Sequence, residues 1–100
     1  MGKVLVKFSK TGDMRFISHL DLMRLFQRAA RRAGMPVTLT KGFNPHLRIS
    51  VTRALKLGTE SAGEEAVFHM DKDFNLQDFV NAMNAKLPEG VKVLNAEETS

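Results

Sequence analysis

The stretch from Arg15 to Pro36 constrains this chain more than any other, because it reads as one amphipathic helix with both ends marked. Ser18 followed three residues later by Asp21 is a capping-box pattern, in which the serine oxygen accepts a first-turn amide. At about 100° per residue, Leu22, Met23, Phe26, Ala29, Ala30 and Ala33 fall on one arc, with Leu25 at its border. Arg24, Arg28, Arg31 and Arg32 take the far side. Gly34 and Pro36 end the helix, since glycine accepts the left-handed cap and proline cannot continue the ladder. A helix with one apolar stripe must bury it against a second layer, and the rest of the chain supplies strands for one.

Lys3-Val-Leu-Val-Lys-Phe8 alternates, with Val4, Val6 and Phe8 inward and Lys3 and Lys7 outward, as a strand does. Ser9 to Asp13 is turn chemistry. Met35-Pro-Val-Thr-Leu-Thr40 reads as a short β-branched strand, and Leu47 to Thr52 alternates again, with Arg48, Ser50 and Thr52 on one face. Residues 57–63 read as a loop, Glu65 to Met70 as a further strand, and Val91 to Leu94 as a closing one. Between these last two, Asn75 caps a second helix over 76–87, with Leu76, Phe79, Val80, Met83 and Leu87 at three- and four-residue intervals.

The order β-α-β-β-β-α-β, with two single-faced helices, predicts an α+β fold. The closest form is a ferredoxin-like split βαβ sandwich with an extra strand: two helices on one face of a mostly antiparallel sheet. The short stretch at 36–40 is the expected extra strand, at an edge. One hundred residues make a single domain, 1–100.

Composition excludes several functions. With no cysteine the chain forms no disulfide, thiolate metal site or iron–sulfur cluster. No apolar run approaches a membrane span, and the start reads as a strand rather than a leader, so no membrane association and a cytoplasmic location are expected. Neither GxGxxG nor a Walker pattern is present, so no cofactor is expected in this chain. No metal is expected either, because His19 and Asp21 point about 200° apart on a helix. The net charge of +4 hides a division: residues 1–56 carry +10 and residues 57–100 carry −6. The halves either neutralise each other across the fold or leave a basic side for an anionic partner.

Three groups of residues could carry chemistry. The helix arginines have little local compensation, since Asp21 serves Arg24 and no nearby acid serves Arg28, Arg31 or Arg32. The run Lys41-Gly-Phe43-Asn44-Pro-His46-Leu-Arg48 combines an aromatic, an amide, an imidazole and two cations, a set suited to stacking on bases and pairing with phosphates. Alternatively it is a rigid turn whose Phe43 folds onto the core. His19 follows the cap at the helix N-terminus and is either a core-edge residue or, with His46, a general acid–base candidate; His69 reads as an ordinary surface residue.

Phe8-Ser-Lys-Thr-Gly-Asp-Met-Arg-Phe-Ile-Ser-His-Leu-Asp-Leu-Met-Arg24 resembles the N-terminal signature of bacterial domains of unknown function linked to radical SAM proteins. Gly42-Phe-Asn-Pro-His46, Arg48-Ile-Ser50 and Leu57-Gly-Thr-Glu-Ser61 match it in the same order, so the resemblance spans about residues 4–70. Arg15 lies inside its strongest portion. Members of that family are about twice this length, which implies that the chain corresponds to an N-terminal part. They are fused to, or encoded beside, radical SAM proteins, often near genes for an RNA-processing nuclease and a ribosomal protein.

The resemblance therefore implies an accessory module for RNA or a ribonucleoprotein, working with a radical SAM partner and more a binder than an enzyme. On that reading Arg15, Arg24, Arg28, Arg31 and Arg32 meet phosphate, and Lys41, Phe43, Asn44, His46 and Arg48 read the substrate. Two alternatives remain at this stage. One is a metal-free endoribonuclease-like enzyme using His19 and His46, by analogy with the fold of CRISPR repeat-processing endoribonucleases. The other is a protein-interaction domain that docks a radical SAM subunit through its basic side.

Overall fold

Strand β1 (Lys3–Lys10) runs through the middle of the molecule and pairs antiparallel on both sides. The structure, a computed structural model, describes residues 2–51 and 61–99. Beside β1 lie β3 (Ser61–His69) and β4 (Val91–Thr99), and β2 (Ile49–Val51) pairs outside β3, giving the order β2-β3-β1-β4. Helices α1 (His19–Arg32) and α2 (Leu76–Lys86) connect β1 to β2 and β3 to β4. Both crossovers skip a strand, as in the ferredoxin-like split βαβ arrangement, and the sheet is antiparallel throughout.

Alternation decides which face the helices cover. Val4, Val6 and Phe8 from β1, Ala66 and Phe68 from β3, and Val91, Val93 and Ala96 from β4 are buried. They meet Leu22, Phe26, Ala29 and Ala30 of α1 and Phe79 and Met83 of α2. Four rings join these layers edge to face: Phe8 to Phe26 at 5.0 Å, Phe26 to Phe68 at 6.0 Å, and Phe68 to Phe79 at 5.2 Å. Each such pair adds about 0.5–1.5 kcal/mol beyond its buried area. Lys10, the last residue of β1, continues the inward set and is fully buried.

The helix ends follow the sequence signals. Ser18 Oγ accepts from the Asp21 amide at 3.1 Å, and Asn75 Oδ1 accepts from the Asp78 amide at 2.9 Å. Gly34 has φ +68° just past the end of α1, and Met35 N–H donates to Ala30 O at 3.0 Å.

Several boundaries differ from the sequence reading. β1 extends through Lys10, β3 begins at Ser61 rather than 65, and β4 continues to Thr99 rather than 94. Pairing along both sides of β1 outweighs the poor strand propensity of Gly63, Glu64 and Glu65. A five-residue 3-10 turn, Gly12–Phe16, leads into α1. The stretch at 36–40 forms no continuous strand. Val37 bridges to Met70 and Leu39 bridges to Leu47, so the segment passes from β3 to the start of β2 before a ladder can accumulate. Residues 52–60, which include most of Leu57 to Ser61, lie outside the described residues.

Two helix side chains hold the sheet margins by the same device. Gln27 Nε2 donates to Leu47 O at 2.6 Å and its Oε1 accepts from Leu47 N–H at 2.9 Å. On the opposite edge, Asn84 Nδ2 donates to Val93 O at 2.9 Å and its Oδ1 accepts from Val93 N–H at 2.7 Å. A side-chain amide presents a donor and an acceptor side by side, as a neighbouring strand would, and so satisfies exposed edge groups.

Candidate nucleic-acid interface

Helix α1 fixes the geometry because its two faces do different work. With Phe26, Ala29 and Ala30 locked in the core, Arg24, Arg28, Arg31 and Arg32 must point outward, and all four are exposed. Residues 24, 28 and 31 form a row that rises about 10 Å along the axis. Arg24 lies 3.6 Å from Asp21 Oδ1 in a well-exposed pair, worth less than about 1 kcal/mol. Arg28, Arg31 and Arg32 make no ion pair among the described residues.

Beside this row lies a depression of about 290 Å³ lined by Leu20, Met23, Arg24, Gln27, His46 and Ile49. Arg24 belongs to both. The Gln27–Leu47 clamp holds the far wall, because it ties the chain next to His46 directly onto α1. His46 is further fixed by Thr40: its backbone N–H donates to Thr40 Oγ1 at 3.1 Å, and Thr40 N–H donates to His46 O at 2.8 Å. Its Nδ1 lies 3.3 Å from Thr40 Oγ1 and 3.2 Å from Asn44 O. A carbonyl only accepts, so the second contact selects the tautomer protonated at Nδ1 and leaves Nε2 as an acceptor.

The loop residues expected to form one contact set separate. Lys41, Phe43, Asn44 and His46 are exposed on the connection between α1 and β2, and Phe43 is fully so, at 104% of its reference area. Phe43 therefore does not fold onto the core. Arg48 alternates with Leu47 and Ile49 to the face of the sheet that the helices leave open. His19 is exposed in the first turn of α1 and is not among the residues lining the depression. Arg15 is engaged locally, donating to Gly12 O at 2.8 Å with its guanidinium 4.3 Å from the Phe16 ring centroid.

His69 is a residue that sequence reasoning passed over. Its backbone N–H donates to Arg48 O at 3.0 Å, and it stands opposite Lys3 on β1. Burial lowers its pKa from 6.5, and the charges of Arg48 and then Lys3 lower it further. The available signal was alternation, which sets His69 opposite Phe68 as it sets Lys3 opposite Val4 and Arg48 opposite Ile49. What the sequence lacked was the register that brings these three together. Among the described residues, no group of three or more His, Cys, Asp or Glu could hold a metal ion, and no helix is long and apolar enough to cross a membrane.

The fold and site define a small α+β domain with a cationic helix face and an open sheet face. The chain belongs to the bacterial family described as "Uncharacterized protein conserved in bacteria (DUF2344)", whose model matches residues 3–100. It is also 30% identical over 60 residues to tRNA pseudouridine synthase A of Francisella philomiragia subsp. philomiragia. That similarity covers 60% of this chain and 23% of that enzyme, so the chain matches under a quarter of the relative's length.

Proposed function

We propose that this chain is an RNA-binding accessory module, serving RNA or a ribonucleoprotein in the cytoplasm alongside a radical SAM partner. The observation that carries the RNA reading is the row Arg24, Arg28, Arg31 and Arg32, three of which have no ion-pair partner among the described residues, adjoining an apolar depression. Phosphates take the arginines, because a guanidinium pairs with phosphate oxygens in a bidentate fork. An unstacked base enters the depression against Leu20, Met23 and Ile49, where His46 Nε2 accepts a hydrogen bond from its edge. Phe43, exposed on the adjoining loop, offers a face for a neighbouring base.

Two further considerations support this reading. The partial similarity is to a protein named tRNA pseudouridine synthase A. The radical SAM partner rests on the sequence resemblance described above, and with no cysteine the chain would leave cluster chemistry to that partner.

The test is fluorescence anisotropy with a labelled single-stranded RNA. Replacing Arg28, Arg31 and Arg32 by Ala should weaken binding by more than about tenfold, since each charge-assisted contact contributes roughly 1 kcal/mol or more. Unchanged affinity in the folded triple variant would refute α1 as the RNA-binding face, and no RNA binding by the parent chain would refute the RNA reading.

A further inference from the structure

The open face of the sheet carries a second cationic feature, independent of α1. Register aligns Arg48, His69, Lys3 and Thr99 in one row across the sheet, contributed by the segment entering β2 and by β3, β1 and β4. Adjacent strands lie about 4.8 Å apart, so Arg48 and Lys3 flank the His69 ring at a spacing their long side chains readily close. The next row along is Ser50, Val67, Leu5 and Glu97, in which Val67 and Leu5 are half-buried and apolar. The two rows are about 7 Å apart, two residues along a strand.

The acids nearest this row on the same face lie at least one row away from it. Glu97 stands beside Leu5 and Glu65 beside Lys7, one and two rows away respectively. Asp71 follows His69 by two residues, and its Oδ1 accepts a hydrogen bond from Thr38 Oγ1 at 2.7 Å. Burial lowers the pKa of His69 most, and the charges of Arg48 and then Lys3 lower it further, which places both cations close enough to act on the ring.

We infer that the row Arg48–His69–Lys3 binds a phosphodiester of a single-stranded RNA, with the attached nucleoside lying over Val67 and Leu5. Arg48 and Lys3 pair with the two non-bridging oxygens, and the imidazole between them hydrogen-bonds the same group. Ser50 Oγ, at the end of the apolar row, is placed to meet a ribose hydroxyl. The site rests on the RNA reading for the identity of the phosphate carrier, but its residues are separate from the α1 row.

Burial is the larger cause of the lowered His69 pKa, but an anion held between the two cations offsets the Arg48 and Lys3 contribution and itself favours the protonated ring, so binding should raise the pKa. The test follows the His69 ring protons by NMR across pH, in the free protein and with a saturating eight-nucleotide RNA. The expected result is an upward shift of about half a unit or more with RNA, together with about tenfold weaker binding for Arg48→Ala and for Lys3→Ala. Both positions are exposed, so these variants should fold.

RNA that binds and perturbs α1 while leaving His69 unmoved overturns the open-face site and spares the helix reading. RNA that still shifts His69 in the R28A/R31A/R32A variant, with undiminished affinity, supports the open-face site and overturns the helix reading. An equal shift produced by inorganic phosphate at the same phosphate concentration overturns the assignment to RNA. No RNA binding at all overturns both.

Discussion

Replacing Gln27 by Leu tests how the depression beside His46 is held. Leucine keeps most of the side-chain volume and removes both hydrogen bonds to Leu47, the 2.6 Å bond to its carbonyl and the 2.9 Å bond from its amide. Each neutral hydrogen bond contributes a net 0.5–1.5 kcal/mol, so the loss should be about 2 kcal/mol. The groups are only partly buried, and water reaching them would hold the cost near that value rather than above it. For a domain of this size the melting temperature should fall by roughly 10 °C.

Urea unfolding should show a lower midpoint with an unchanged slope, and hydrogen exchange should show the Leu47 amide losing protection. Asn84→Leu removes the matching pair to Val93 and should cost a similar amount. The clamps sit on opposite edges of a four-stranded sheet, about 14 Å apart, so the double variant should be additive to within about 0.5 kcal/mol. A Gln27→Leu cost under about 0.5 kcal/mol with Leu47 still protected would refute the clamp.

Two other perturbations probe the frame. Gly90 has φ +97°, and an added Cβ would lie 2.8 Å from both Met14 Cγ and the Thr11 carbonyl oxygen, so Gly90→Ala should cost about 2–4 kcal/mol in urea unfolding; a loss under 1 kcal/mol would contradict that fit. The pKa of His69 is lower in the folded chain than the ordinary 6.5, so its contribution to stability is present above that value and is lost as pH falls through the folded pKa. The urea midpoint should therefore decline between about pH 7 and pH 5, and His69→Gln should flatten that decline; equal slopes in both proteins would contradict it.

The parts of the fold legible from the sequence are those set by local periodicity and capping. Ser18, Gly34 and Asn75 mark helix ends through hydrogen bonds made within a few residues, and the α1 stripe needs nothing beyond its own spacing. Strand ends were harder, because β3 and β4 are extended by pairing with β1 and their own composition does not demand it. The stretch at 36–40 has strand propensity, yet its Val37, Thr38 and Thr40 amides donate to Met35 O, His69 O and His46 O respectively, so no one strand takes them all.

The same distinction applies to the candidate site. The outward arginines follow from the helix, but Gln27 gave no sign of its role, since its partner Leu47 lies 20 positions away. His46 and Arg48 are two residues apart, so alternation alone would put them on one face; His46 instead lies in the loop before the Leu47 bridge and lines the depression beside α1, whereas Arg48 lies beside His69 and Lys3. Only the register makes that division visible.

The salt dependence of RNA binding tests the central claim most directly. The four α1 arginine–phosphate contacts, at about 0.7 released counterion each for a single strand, contribute about −3 to the slope of log K against log salt. Affinity should then fall at least about fiftyfold between roughly 50 and 200 mM salt, and the R28A/R31A/R32A variant should have a slope shallower by about 2. A flat dependence in the parent chain, or the same slope in the parent and the variant, would contradict the assignment of phosphate to this helix.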